Sequence, residues 1–415
     1  MNLRRLARNL SWLMVGEAVL RAALLLSSLL IARGFGDQAM GTFTVAFGIV
    51  QVAVMVVALG QLEVLPRETA QRPAAARGLL IAAATLQGRA ALALLLPALA
   101  ATLLLPEPQL RWTLLALLPF VPLRTLLLSL GASFRGLDRM DAEVRARGAA
   151  LALTLPLLLA AAAAHLAVWS TGAAFSVGTA VGLLWLWRQR HQLPDSDSPP
   201  GHRQLLREGW PFLALGALTQ LLLRGDALLL EALGIARATI GHYGAAITLV
   251  WGALALPQVL AAAVYPSLSR DSLHRGPALR PVLAAAAVGI AAGGALAMAF
   301  TLLAEPLVTL LFGAAYQPAA GLLAILAWAL PGASASMLQG TVLAAWGRQR
   351  WSLGLQLVAV TLSITLNLTL IPRLGALGAA WAAVAVHTTL ALLQLVLLLA
   401  LAKRLPPSSA SPADI

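Results

Sequence analysis

The chain has 415 residues, of which 60% are hydrophobic and 11% are charged. Soluble globular proteins carry roughly 25% charged residues, so this composition excludes a string of soluble domains and indicates a chain that resides largely in a bilayer. The absence of cysteine excludes disulfides, thiolate metal sites and cysteine nucleophiles.

Apolar stretches long enough to cross a bilayer as helices recur along the whole sequence. The first stretch follows three arginines but is too long for the apolar part of a signal peptide, so we expect a retained helix. In chain order the predicted spans are 10–32, 42–62, 78–104, 110–132, 148–168, 171–187, 209–233, 240–264, 281–304, 318–345, 351–371 and 375–402. The predicted fold class is an all-α polytopic membrane protein of about 12 transmembrane helices.

A polar segment interrupts the apolar stretches near the middle of the chain. It contains Pro194-Asp195-Ser196-Asp197-Ser198-Pro199-Pro200, a composition typical of a flexible linker. The Asp195-x-Asp197 pair mimics a metal-binding motif of some glycosyltransferases, but its Ser- and Pro-rich setting favours a linker. The predicted domains are an N-terminal six-helix half at 1–190, a linker at 191–208, a C-terminal six-helix half at 209–403 and a disordered tail at 404–415.

The basic residues are distributed unequally between alternate loops. On one side the loops contain only four of the 29 lysines and arginines, namely Arg33, Arg111, Arg237 and Arg373. Lys and Arg are enriched in the cytoplasmic loops of membrane proteins, so we expect both termini in the cytoplasm. The positive net charge therefore needs no nucleic-acid partner to explain it.

Two parts of the chain resemble each other at an offset of 200 residues. The matched pairs are Gly34 and Gly234, Gly41 and Gly241, Phe43 and Tyr243, and Ala46 and Ala246, and a second echo at an offset of 209 residues relates Gly131 and Arg139 to Gly340 and Arg348. Both echoes fall at equivalent places in the two predicted halves. An even number of helices in each half gives the halves the same orientation, which predicts two pseudo-symmetric bundles around a central cavity with the substrate site near mid-membrane.

Six aspartate, glutamate and arginine residues lie well inside predicted spans, away from the span ends: Glu17, Arg21, Arg89, Arg124, Arg224 and Asp226. Charges inside a bilayer are costly unless they face a wet cavity or a partner. Glu17 and Arg21 are four residues apart and share a helix face, whereas Arg224 and Asp226 are two apart and diverge.

These charges have two interpretations. In the first, Glu17 and Arg21 form a structural pair and Asp226 supports an interhelical contact. In the second, Arg21 and Arg224 line facing walls of the cavity and bind an anionic substrate through their forked donors. Arg89 and Arg124 are weaker candidates, and Arg124 is also placed to snorkel toward the membrane surface. The remaining polar residues in the spans favour interhelical hydrogen bonds over substrate contacts, the isolated histidines predict no metal site, and the sequence has no Walker motif.

Several segments carry a resemblance to a known family. They are residues 32–41, Leu223-Arg224-Gly225-Asp226, Gly241-His242-Tyr243-Gly244-Ala245-Ala246, Phe312-Gly313-Ala314-Ala315-Tyr316 and Gly375-Ala376-Leu377-Gly378-Ala379-Ala380-Trp381. Together they resemble the polysaccharide flippase branch of the multidrug/oligosaccharidyl-lipid/polysaccharide (MOP) exporter superfamily, and the likeness covers almost the whole chain.

The resemblance implies a flippase of the bacterial inner membrane rather than an enzyme. Its substrate would be an undecaprenyl-diphosphate-linked oligosaccharide repeat unit, translocated by alternating access for O-antigen, capsule or exopolysaccharide synthesis. The expected partners are this lipid-linked oligosaccharide, membrane lipids and a polysaccharide polymerase or chain-length regulator. Arg21, Arg224, Arg89 and Arg124 would bind the diphosphate, and Asp226 and Glu17 would couple transport to a proton or sodium gradient, with no other cofactor.

Three alternatives remain open. A multidrug exporter of the same superfamily would share the fold, although four arginines among the six span charges favour an anionic substrate. A membrane glycan polymerase, ligase or acyltransferase would need long outward loops, and the predicted outward loops are short. A purely structural membrane scaffold would leave the six charges unexplained.

Overall fold

The computed structural model describes residues 21–195, 201–261, 264, 268, 278–348 and 350–404, and every regular element in these ranges is helical. In chain order the helices are α1 (residues 21–35), α2 (Asp37–Ala58), α3 (Gln61–Gln71), α4 (Ala76–Leu103), α5 (Pro108–Leu117), α6 (Phe120–Gly136), α7 (Met140–Ala163), α8 (Trp169–Trp187), α9 (His202–Ala232), α10 (Arg237–Ala253), α11 (residues 255–261), α12 (Leu279–Leu302), α13 (Ala304–Phe312), α14 (Ala319–Leu326), α15 (Ala329–Ala345), α16 (Arg350–Leu374) and α17 (Ala376–Arg404). In several places two consecutive helices with a short break between them form one membrane span, as α2 and α3 do in Asp37–Gln71.

Within the described ranges, eleven helical stretches are long and apolar enough to cross a membrane. They coincide with the predicted spans two to twelve, for example Asp37–Gln71 with 42–62 and Ala376–Lys403 with 375–402. The predicted first span at 10–32 lies partly outside the described residues, and its described part is helical in α1. The prediction of an all-α, multi-pass membrane protein is confirmed.

The helices divide into two compact units. The first unit comprises Met1–Glu231 with Ala236–Gly244, and the second comprises Ala232–Ile235 with Ala245–Ile415. The predicted division into six-helix halves at 191–208, and the predicted tail at 404–415, stay predictions.

In the first unit, α6 is the central helix and packs against α2, α3, α4, α7 and α8. Four aromatic rings meet beside it, with centroids 5.1–6.3 Å apart, and they belong to Phe43, Phe47, Phe120 and Phe175. Buried Gln87 donates to Ser129 Oγ at 2.8 Å, which confirms an interhelical role for one of the polar span residues. Such aromatic packing and paired polar groups hold helices together where water is excluded.

Helix α9 also belongs to the first unit and lies along α2 and α3. The span that these two helices form breaks at Leu59 and Gly60, whose φ angles of 51° and 71° are left-handed. A Cβ on Gly60 would collide with the carbonyl oxygen of Gly209 in α9, and Gln61 Nε2 donates to the carbonyl of Leu205 at 3.0 Å. The break therefore coincides with a close helix contact that requires glycine at residue 60.

The second unit is built around α15 and α17. Helix α15 packs against α12 and α17, while α14 and α16 also pack against α17. Gly289 and Gly293 of α12 lie against the α15 backbone, where a side chain on either glycine would collide with main-chain atoms. Small residues thus allow these two membrane helices to approach closely.

Candidate functional site

Helices α2 and α10 cross at two glycines that the internal repeat relates. A Cβ on Gly41 would collide with the carbonyl oxygen of Arg237, and a Cβ on Gly241 would collide with that of Asp37. Either Cβ would also lie 3.1 Å from the backbone nitrogen of the other glycine. The crossing is therefore symmetric, and the first turns of the two helices touch through their backbones.

Ion pairs surround this crossing. Arg237 at the start of α10 pairs with Glu107 and, at 2.6 Å, with Glu231. His242 Nε2 lies 3.5 Å from a carboxylate oxygen of Asp37. These contacts join helix ends on the side whose loops contain only four of the 29 lysines and arginines, among them Arg33, Arg111 and Arg237. We call this side the arginine-poor end.

Arg224 lies on the α9 face that packs against α2. Its guanidinium carbon is 5.8 Å from the centroid of the Phe47 ring, and its Cβ is 3.8 Å from where a Cβ on Gly48 would lie. Its Nε is buried and has no hydrogen-bond partner among the described residues. Arg224 is thus held against an aromatic cluster, and none of the described residues accepts a hydrogen bond from its Nε–H.

Asp226 lies two residues further along α9 and has a different neighbour. Asp226 is 3% exposed, and its carboxylate accepts a 2.8 Å hydrogen bond from the hydroxyl of Tyr243, which is fully buried in α10. The predicted interhelical contact of Asp226 is confirmed. Its role in ion coupling stays a prediction.

Arg21 and Arg89 occupy contrasting surroundings. Arg21 is partly buried at the start of the described chain in α1, whereas Glu17, its predicted partner, lies outside the described residues. Arg89 is exposed on α4, on the same face as Leu92 and Leu96. No ion pair or hydrogen bond of Arg89 occurs within the described ranges.

Arg124 lies in α6 and is partly buried. It is close enough to Glu143 and Arg147 of α7 to interact with them electrostatically. Glu143 is itself buried, accepts two 3.1 Å hydrogen bonds from Arg135, and pairs with Arg147. Arg124 therefore belongs to the surroundings of a structural ion cluster, which weakens its candidacy for substrate binding.

Two residues at this site have no role assigned from the sequence, namely Phe47 and Tyr243. Phe47 is one of many apolar residues in its span, and nothing in its local pattern predicts a contact with Arg224. Tyr243 carried a usable signal, because at the repeat offset of 200 residues Asp226 and Tyr243 correspond to Leu26 and Phe43. Two apolar residues in one copy thus match a hydrogen-bonded polar pair in the other.

Solved structures of transporters share this fold. An inward-facing multidrug resistance MATE family transporter of the MOP superfamily is 14% identical, with a TM-score of 0.75 over 95% of this chain and 100% of that chain. The lipid II flippase MurJ, in an inward closed conformation, is 13% identical, with a TM-score of 0.74 over 93% of this chain and 87% of that chain. A MATE transporter of Vibrio cholerae is 16% identical, with a TM-score of 0.66 over 96% of each chain. At these identities the likeness establishes the fold alone.

Sequence comparison identifies the family. No curated protein matches the chain significantly. A family model described as polysaccharide biosynthesis protein matches residues 6–271, which is more than half of the chain. The chain therefore belongs to the polysaccharide biosynthesis protein family, and it has the fold of the MOP superfamily.

Proposed function

We propose that the protein is a flippase that moves undecaprenyl-diphosphate-linked oligosaccharide repeat units across the bacterial inner membrane. The products would serve O-antigen, capsule or exopolysaccharide synthesis. Family membership supports a role in polysaccharide production, and the fold is one that solved membrane transporters and a lipid II flippase share.

The observation that carries this proposal is the setting of Arg224. A guanidinium inside a membrane span is costly unless its charge is used. The ring of Phe47 contacts one side of the side chain, and the buried Nε has no protein acceptor in the described part of the chain. A diphosphate supplies such acceptors, because its oxygens match the forked donors of arginine.

The mechanism that we infer is alternating access. Arg224 and Arg21 bind the diphosphate inside the membrane while the lipid tail stays in the bilayer. Asp226 couples the cycle to a proton or sodium gradient, together with Glu17. The arginine-poor end faces away from the cytoplasm, in accordance with the positive-inside rule.

The first experiment is extraction of lipids from cells that lack the protein, followed by mass analysis of undecaprenyl-linked glycans and a test of leaflet location. We expect complete repeat units on the cytoplasmic leaflet, and we expect reintroduction of the gene to clear them. Absence of this pool, together with greater sensitivity to cationic dyes, would instead support a multidrug exporter.

Substitutions then connect the activity to the site. Arg224→Gln and Arg21→Gln should each abolish clearance of the pool while leaving the amount of protein in the membrane unchanged. Arg207→Gln is the matched control, because Arg207 is an exposed arginine on the same helix, α9. Full activity of both Arg224→Gln and Arg21→Gln would overturn the proposed role of these arginines.

A further inference from the structure

A concave site lies in the first unit, at the arginine-poor end. It is a cavity of about 420 Å³ between the last turn of α1, the first turns of α2, α5 and α8, and the turn that precedes α8. Its size falls within the range of roughly 300–1,000 Å³ typical of small-molecule sites. We call it the Trp112–Trp169 pocket, after the two indole side chains in its wall.

The lining of this pocket combines exposed aromatic faces with exposed polar groups. Trp112 is 54% exposed and Trp169 is 44% exposed, and Gln38, Gln109 and His165 are exposed around them. Each glutamine amide can both donate and accept hydrogen bonds, which suits a ligand rich in hydroxyl groups. An indole offers a flat, electron-rich face on which the C–H groups of a sugar ring can pack.

The electrostatic surroundings suit an electron-rich ligand. Of the two carboxylates nearest in sequence, Asp37 accepts a 2.7 Å hydrogen bond from the backbone N–H of Gln38, and Glu107 pairs with Arg237. The guanidinium carbon of Arg111 lies 5.7 Å from the Trp112 ring centroid. Residues of the first turns of α2, α5 and α8, whose ends carry partial positive charge, line the pocket together with Gly34 and Phe35 of the last turn of α1, whose end carries partial negative charge. Hydroxyl and carboxylate oxygens of a glycan would therefore meet no free acidic group among the described residues of the wall.

Exposed tryptophans near helix ends often belong to an aromatic belt at the membrane surface. A belt residue faces lipid headgroups and needs no polar partners. Here the two indoles share one concavity with two amides and an imidazole. This combination distinguishes the Trp112–Trp169 pocket from Trp381, which is 50% exposed, lies one turn into α17 and is not part of the pocket wall.

We propose that the Trp112–Trp169 pocket binds a sugar residue of the translocated glycan at the face away from the cytoplasm. This inference rests on the proposed flippase function. The pocket would hold the glycan after the diphosphate has left Arg224, and it would select for glycan structure independently of the lipid carrier. The two sites thus recognise different parts of one substrate.

The test measures glycan binding to the full-length protein in lipid nanodiscs. The probe is the oligosaccharide released by mild acid from the lipid-linked pool of cells that lack the protein, and binding is followed by saturation-transfer NMR and calorimetry. We expect Trp112→Ala and the double variant Gln38→Ala/Gln109→Ala each to weaken binding by about tenfold, because each loses a ring face or hydrogen bonds. Trp112→Phe should retain most of the binding.

Two controls separate this proposal from the flippase function itself. Trp381→Ala should bind the oligosaccharide as the unmodified protein does, and Arg224→Gln should also bind it although transport is lost. If the lipid-linked pool accumulates but the glycan does not bind, or binds equally to Trp112→Ala and Gln38→Ala/Gln109→Ala, the pocket proposal is wrong while the flippase proposal stands. If no lipid-linked pool accumulates, both proposals fail.

Discussion

The guanidinium carbon of Arg224 lies 5.8 Å from the centroid of the Phe47 ring, so a cation in α9 rests on an aromatic residue of α2. A cation over an aromatic ring gains about 0.5–2 kcal/mol, depending on how well water is excluded. This contact holds the guanidinium in place without occupying its N–H donors. The arrangement therefore orients the charge and keeps it available to a substrate.

Phe47→Leu should keep transport but weaken apparent substrate affinity by about two- to fivefold, the effect of losing roughly 0.5–1 kcal/mol of positioning energy. Initial rates of clearance of the lipid-linked pool, measured against pool size, provide the test. Phe43→Leu is the matched control, because Phe43 stacks on Phe47 at 5.1 Å in the same aromatic cluster. Equal losses in the two variants would show that cluster packing, and not the contact with Arg224, is responsible.

The charge and the hydrogen bond of Asp226 can be separated by substitution. Asp226→Asn keeps an acceptor for Tyr243 but removes the charge, so gradient-dependent transport should be lost. Tyr243→Phe should retain coupling, at a cost to stability of about 1–3 kcal/mol because the buried Asp226 carboxylate loses the hydrogen bond from Tyr243. Transport with imposed gradients and thermal unfolding in detergent measure the two effects. Gradient-dependent flux in Asp226→Asn would contradict the coupling role.

The pairing of Arg237 with Glu107 should contribute little to stability. The Glu107 side chain is 39% exposed, so solvent screens the interaction. A double-mutant cycle with Glu107→Gln and Arg237→Gln should give a favourable coupling energy below about 1 kcal/mol, measured from unfolding free energies. A coupling energy of several kcal/mol would mean that the arginine-poor end is much drier than this exposure indicates.

The crossing of α2 and α10 predicts opposite effects for two glycines of one helix. Gly241→Ala forces a methyl group against the carbonyl of Asp37 and should destabilise the protein by about 1–3 kcal/mol. At Gly252, also in α10, a methyl group would meet no atom within 4 Å. Gly252→Ala should therefore be neutral or stabilising by up to about 1 kcal/mol, since alanine favours the helix. Similar melting temperatures for the two variants would exclude a tight crossing at Gly241.

The membrane spans could be predicted well because a bilayer imposes a length and an apolar composition on each of them. The break at Leu59 and Gly60 could not, since leucine rarely adopts a left-handed φ and no residue pattern announces one. Its location coincides with the contact to Gly209 in α9, a residue far away in sequence. Breaks of this kind depend on tertiary packing, which a single sequence does not display.

For the candidate site, residue type was more informative than position. Arg224 and Asp226 were identifiable because charges in apolar spans are costly. The contact of Phe47 with Arg224 was not, because which helix faces meet is decided by the three-dimensional arrangement, and only Tyr243 carried a signal through the repeat. For Arg124 the sequence shows a charge inside a span, but it does not show that Arg124 lies close to the ion cluster around Glu143. Structural and functional charges look alike in sequence.

The contact between Gly41 and Gly241 also bears on how such a chain could arise. If the repeat records a gene duplication, the crossing of α2 and α10 preserves an isologous interface, in which one surface met its own copy across a two-fold axis. A single glycine would then have served both sides. Fusion into one chain allows the copies to diverge. Asp226 and Tyr243 then occur in one copy only, and the corresponding residues of the other copy are Leu26 and Phe43. A homodimer could have carried that polar pair only in duplicate, with two buried carboxylates instead of one.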